Sequence, residues 1–134
     1  MNELFLSMFN LEELILNMFS MECTLFMQSD SYRLIEQKCK NKCLNSNEMQ
    51  QLNTEVHSDF ILLIKAMKEA CPSLTDEDIL FCCLAKSGLD HMTICHCLGN
   101  INKQPENQRK YRIKKKMKEA QCDFLFDMIF TCNS

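Results

Sequence analysis

Two glycines and two prolines are all the backbone punctuation in this chain of 134 residues. That scarcity leaves too few turns for a many-stranded sheet, whereas the abundant Leu, Met, Lys, Glu and Gln are good helix formers. An all-α fold is the expectation. The length suits one domain, or a small domain with an appended helical region. At this size about two-thirds of the unfolded surface can be buried, so no covalent staple is required.

The apolar spacing divides the chain into helices. The first 28 residues read as one, with Leu4, Met8, Leu11, Ile15, Met18 and Leu25 on steps of three and four interrupted by Glu22. Phe5, Phe9, Leu16, Phe19 and Phe26 widen this stripe beyond a coiled-coil seam. So broad a face needs cover, either from the chain's own later helices or from a second copy. Ser29 and Asp30 suit the cap of a second helix holding Tyr32, Leu34 and Ile35 and ending near Cys43. After the polar break at Asn45, Ser46 and Asn47, a third helix runs from about Glu48 to Ala70. Met49, Leu52, Val56, Phe60, Leu63 and Met67 share one of its faces, and Pro72 stops it.

Shorter helices follow. Thr75 caps the first, with Asp76, Glu77 and Asp78 in the opening turn, where carboxylates suit the helix dipole. Ile79, Leu80, Cys82, Cys83 and Leu84 face its core, and Gly88 ends it. Asp90 caps the next, which holds Met92, Ile94, Cys95 and Leu98 and ends at Gly99. Beyond a linker from Asn100 to Gln104, Pro105 suits the first turn of another helix, with Ile113 and Met117 inward. Asn107, Gln108, Tyr111 and Lys115 fall on a different face, roughly opposite the core. Phe124 to Phe130 forms a last apolar helix. The expected architecture is a pair of regions: long N-terminal helices over residues 1–70, antiparallel or coiled-coil-like, and a compact helical bundle over 71–134.

Charge is unevenly spread. Lys103, Arg109, Lys110, Arg112, Lys114, Lys115, Lys116 and Lys118 are eight of the fifteen cations, with Glu106 the one acid among them, so this stretch carries +7. The formal total of −3 then leaves −10 on the other residues. A lysine-rich run is often just a solvated helix end. A positive rod on a negative body also suits a polyanion, because neutralising phosphates releases condensed counterions.

Ten cysteines would suggest disulfides in an exported protein, but the N-terminus lacks a basic leader region and carries Glu3, Glu12, Glu13 and Glu22. Its charge-free runs fall far short of the ~20 residues of a membrane helix. A cytoplasmic protein with reduced thiols serving as small core residues is expected. Cys82-Cys83 and Cys95-His96-Cys97, with His91 nearby, are dense but have neighbours that point apart on a helix, and Cys39 with Cys43 lacks two further ligands. No metal or cofactor is expected. Phosphate-binding glycine loops and nucleophile elbows are absent, His57 has no plausible catalytic partner, and a non-enzyme with no small-molecule ligand is the reading.

Two short helices joined by a glycine-containing turn and followed by a basic helix is the layout of a helix-turn-helix. The segment LTDEDILFCCLAKSGLDHMTICHCLGN, followed by RKYRIKKKM, resembles the C-terminal helix-turn-helix of LuxR/NarL-type bacterial transcriptional regulators. Leu74 and Thr75 match the pair that opens the family's first helix, Gly88 the glycine before the second, and Ile94, Cys95 and Leu98 positions within it. Lys110, Arg112, Ile113, Lys116 and Met117 match the close of the third. Gln51-Leu52, Phe60, Leu63 and Cys71 to Thr75 resemble the lead-in of a branch in which tetratricopeptide repeats and a coiled coil precede the module. Glu106 departs from the pattern, standing where the family carries an apolar anchor.

The resemblance implies a DNA-binding regulator, or the effector fragment of one, that lays its basic helix in the major groove of double-stranded DNA. By position on the matched helix, Asn107, Gln108 and Tyr111 are the expected base contacts. Arg109, Lys110, Arg112, Lys114 and Lys115 are the expected phosphate contacts, and a homodimer is the expected assembly. The alternative, built on Glu106, is a helical protein-interaction module whose degenerate helix-turn-helix no longer reads DNA specifically.

Overall fold

The computed structural model describes the backbone of residues 3–99 and 104–130 and the side chains of 11–99 and 107–130. Lys103, the linker before it and the side chains of Leu4, Phe5, Met8, Phe9, Pro105 and Glu106 therefore lie outside the described residues. Within them the chain is all-α: α1 (Glu3–Met27), α2 (Asp30–Lys38), α3 (Ser46–Asp59), α4 (Ile61–Ala70), α5 (Asp76–Lys86), α6 (His91–Cys97), α7 (Gln104–Glu119) and α8 (Asp123–Phe130).

Local capping chemistry explains most of these starts. The Ser29 side chain accepts from the Tyr32 N–H, and that of Asp90 from the Thr93 N–H. Asn45 with Glu48, and Thr75 with Asp78, each close a reciprocal capping box. Gly88 and Gly99 follow α5 and α6 with φ of 82° and 79°, a left-handed geometry that ends a helix without a Cβ penalty.

The third expected helix is in fact two. At Phe60 the backbone leaves helical geometry (φ −104°, ψ 45°), and α4 begins without a side-chain cap of its own. Glu22, which interrupts the apolar pattern of α1, supplies the missing acceptors. Its carboxylate takes the Leu62 N–H at 2.7 Å and the Leu63 N–H at 3.0 Å. The corner lets Phe60 turn fully into the core, where its ring lies 5.4 Å from that of Phe26. A second boundary also moves. α2 stops at Lys38 rather than near Cys43, because the chain then crosses to α6: Leu44 N–H donates to the His96 carbonyl, and the His96 ring bonds the Cys39 carbonyl. Cys39 and Cys43 consequently do not share a helical face.

α1 packs on α2, α3 and α4, while α5 lies between α3, α4, α6 and α8. On α1 the core face is Phe19, Cys23 and Phe26, with Ile15 against it. Leu11 and Leu25, both members of the expected stripe, are exposed instead. Buried residues form one cluster from Phe19 to Ile129, so it runs across the expected division between residues 70 and 71. Nothing among the described helices is long and apolar enough to cross a membrane.

Candidate nucleic-acid interface

Ile113 and Met117 set the rotation of α7. Both are fully buried, and α7 touches α6 on one side and α8 on the other. The helix steps 100° per residue, so the side chains farthest from this pair are Gln108, Tyr111, Lys115, Lys118 and the acid Glu119, with Asn107 and Arg112 flanking them. All seven are exposed, Tyr111 at 72%. Every expected base contact and two of the expected phosphate contacts thus share an outward face.

The remaining expected phosphate contacts have partners within the fold. Arg109 is only 14% exposed in its side chain; one guanidinium nitrogen meets Asp78 at 3.0 Å and another meets Glu77 at 2.8 Å. Lys110 lies over the Phe130 ring at 5.0 Å and Lys114 over the Phe126 ring at 5.6 Å, so both lean along α8. Lys116, which matched the family pattern, binds Asp78 at 2.8 Å.

Asp78 is the centre of this arrangement. Its Oδ2 accepts from the Thr75 N–H at 3.0 Å, and its own N–H donates to the Thr75 hydroxyl, so one carboxylate both caps α5 and holds two cations of α7. Burial would push this carboxyl up. Lys116, the Thr75 N–H and Arg109 together hold it below the ordinary carboxylate range. α8 is pinned from the other side: Lys86, itself buried, reaches the Met128 carbonyl at 2.9 Å in the last turn of α8, where a cation suits the dipole. Asp78 was legible from the sequence as one of three acids in the opening turn of α5. Its ion pairs, and the role of Lys86, were not, because each needs residues more than thirty positions apart.

The thiols behave as core groups. Among the described residues the cysteines, except for half-buried Cys43, are buried. Burial raises the pKa of Cys82 and Cys83. Cys39 and Cys97, 58 residues apart in sequence, share a thiol hydrogen bond that raises Cys97 and lowers Cys39. No group of three or more His, Cys, Asp or Glu converges as metal ligands among the described residues.

No protein-family model, curated protein or solved structure matches this chain.

Proposed function

We propose that this chain is a DNA-binding transcriptional regulator, or the effector fragment of one, acting by presentation of α7 to the major groove and not by catalysis. The observation that carries the reading is the outward face of α7, where Asn107, Gln108 and Tyr111 stand among Arg112, Lys115 and Lys118, all exposed and turned away from the buried Ile113 and Met117. A helix of ordinary diameter enters a B-form major groove, and amides of Asn and Gln can bond adenine edges at ~1–3 kcal/mol of discrimination per good pair. Arg112 and Lys115 are spaced to reach the flanking phosphates, which position the helix without reading sequence. In this reading α5 and α6 are the scaffold, and two copies address half-sites about one helical turn apart.

The test is a binding titration over a series of salt concentrations. Arg112→Ala with Lys115→Ala is expected to lower affinity for every DNA sequence and flatten the salt slope by roughly two. An unchanged slope refutes the interface.

A second reading, a helical interaction module without specific DNA readout, draws on the cations that are already engaged. Arg109 and Lys116 serve Asp78 and Glu77, and Lys110 and Lys114 cover aromatic rings, so fewer charges remain for phosphate than the run suggests. Selection from random DNA separates the two: enrichment of a symmetric motif supports the regulator, and uniform recovery supports the module.

A further inference from the structure

We infer that Cys39 and Cys97 are a redox-sensitive latch, which a hydroperoxide closes to a disulfide tying the end of α2 to the end of α6. The backbone sets the pair up. Cys39 closes α2, and Cys97 is the last residue of α6. The His96 ring donates through Nδ1 to the Cys39 carbonyl, and the Leu44 N–H donates to the His96 carbonyl. Two hydrogen bonds therefore hold these segments together around the thiols. Both cysteines lie fully in the core and share a thiol hydrogen bond, although 58 positions separate them in sequence. Sulfurs in such contact need only a small side-chain adjustment to reach the ~2.05 Å of a disulfide.

The surroundings divide the roles. The Cys97 thiol donates to the Cys39 sulfur, and this bond, helped by Lys38, holds Cys39 below the ordinary thiol value although burial opposes it. The thiolate is the form that attacks an oxidant. Burial pushes Cys82 and Cys83 the other way, which suits inert core groups. At a second thiol contact, Cys71 with Cys122, burial, Cys71 and Asp123 push Cys122 up, and the Ser73 hydroxyl also meets the Cys71 sulfur at 3.6 Å. Access favours Cys39 as well. It stands directly before a turn whose Lys40, Asn41 and Lys42 are exposed, so a local opening there admits a molecule as small as a peroxide.

The chemistry closes in two steps. The Cys39 thiolate attacks one oxygen of hydrogen peroxide; the O–O bond breaks, and the other oxygen leaves as hydroxide and regains the Cys39 proton as water. Cys39 is now a sulfenic acid. The Cys97 sulfur attacks the Cys39 sulfur, the S–O bond breaks as the S–S bond forms, and the hydroxyl leaves with the Cys97 proton as a second water. Two thiols have lost two electrons, and the peroxide has gained them. The closed latch fixes α2 to α6, the helix on which α7 rests. It is independent of any contact between α7 and DNA.

The test treats the reduced, folded full chain with hydrogen peroxide, alkylates it in denaturant and maps the peptides by mass spectrometry. Loss of two thiols per chain is expected, with Cys39 linked to Cys97 within one chain. The melting temperature is expected to rise by more than ~5 °C and to fall back on reduction, because the link constrains a long loop of the unfolded chain. In Cys97→Ser, whose hydroxyl still donates to Cys39, a 1,3-dione probe is expected to trap sulfenic acid at Cys39. Linkage of Cys71 to Cys122 or of Cys43 to Cys97 in its place, or indiscriminate oxidation of all the cysteines, overturns the latch. An unchanged or lowered melting temperature overturns its locking of α2 to α6, and a trapped sulfenic acid elsewhere than Cys39 overturns the division of roles.

Discussion

Asp78 and Asp59 are both buried aspartates at helix ends, one in the first turn of α5 and the other the last residue of α3. Asp78 meets the positive end of its helix dipole, a capping N–H and two cations. Asp59 meets the negative end of its helix, has the Glu55 carboxyl as its neighbour and leaves Oδ2 without a hydrogen-bond partner. Burial and Glu55 push the Asp59 carboxyl up to about 6, while the partners of Asp78 hold it low despite burial. The same side chain thus stabilises one corner of the molecule and burdens another. Which outcome holds is decided by the polarity of the helix end and the sign of the neighbour, not by depth.

Breaking the favourable corner has the largest expected effect. Asp78→Ala leaves Arg109 and Lys116 without their shared anion and removes the α5 cap, for a loss of ~3–5 kcal/mol measured by urea unfolding. Because the depressed carboxyl contributes stability above its unfolded value, Asp78→Asn should lose most at neutral pH, and the gap should narrow as acid protonates Asp78 in the parent chain. A loss of only a few tenths of a kcal/mol would show that the ion pairs are solvated surface contacts.

The α3–α4 corner allows two finer tests. Glu22→Ala strips the acceptors from the Leu62 and Leu63 N–H groups and should cost ~1–2 kcal/mol, with Glu22→Gln recovering part of the loss. Asp59→Asn is expected to act in the opposite direction, stabilising the protein by ~1 kcal/mol at pH 7. The sign follows from the raised carboxyl: folding favours its protonated form, so that contribution is complete below its ordinary value near 3.8 and is lost as pH rises through about 6. The advantage of Asp59→Asn should therefore vanish near pH 4. A gap constant with pH would mean that Asp59 carries its charge at no cost.

Much of this architecture was legible because its signals are local. Ser29, Asn45, Thr75 and Asp90 each bond an N–H within three residues, and Gly88 and Gly99 end helices by their own φ, so these boundaries follow from short stretches of chain. The corner at Phe60 was illegible for the opposite reason. Residues 48–70 hold an unbroken helical rhythm, and the break depends on a carboxylate forty positions upstream. The rotation of α7 could be expected from Ile113 and Met117, and with it the outward placement of Asn107, Gln108 and Tyr111. The fate of Arg109 could not, since its acids lie on α5.

By itself the sequence determined that the chain is helical, where most helices start and stop, and which stretch concentrates positive charge. Those properties are set by backbone propensity, caps and periodicity, all of which act over a few residues. Tertiary structure alone decided which face of α1 meets the core, which cations of α7 are held by Asp78, Glu77 and the rings of α8, and which remain turned outward. Burial and ion pairing join residues distant along the chain, and their energies depend on a neighbour's position and sign, which no single segment contains.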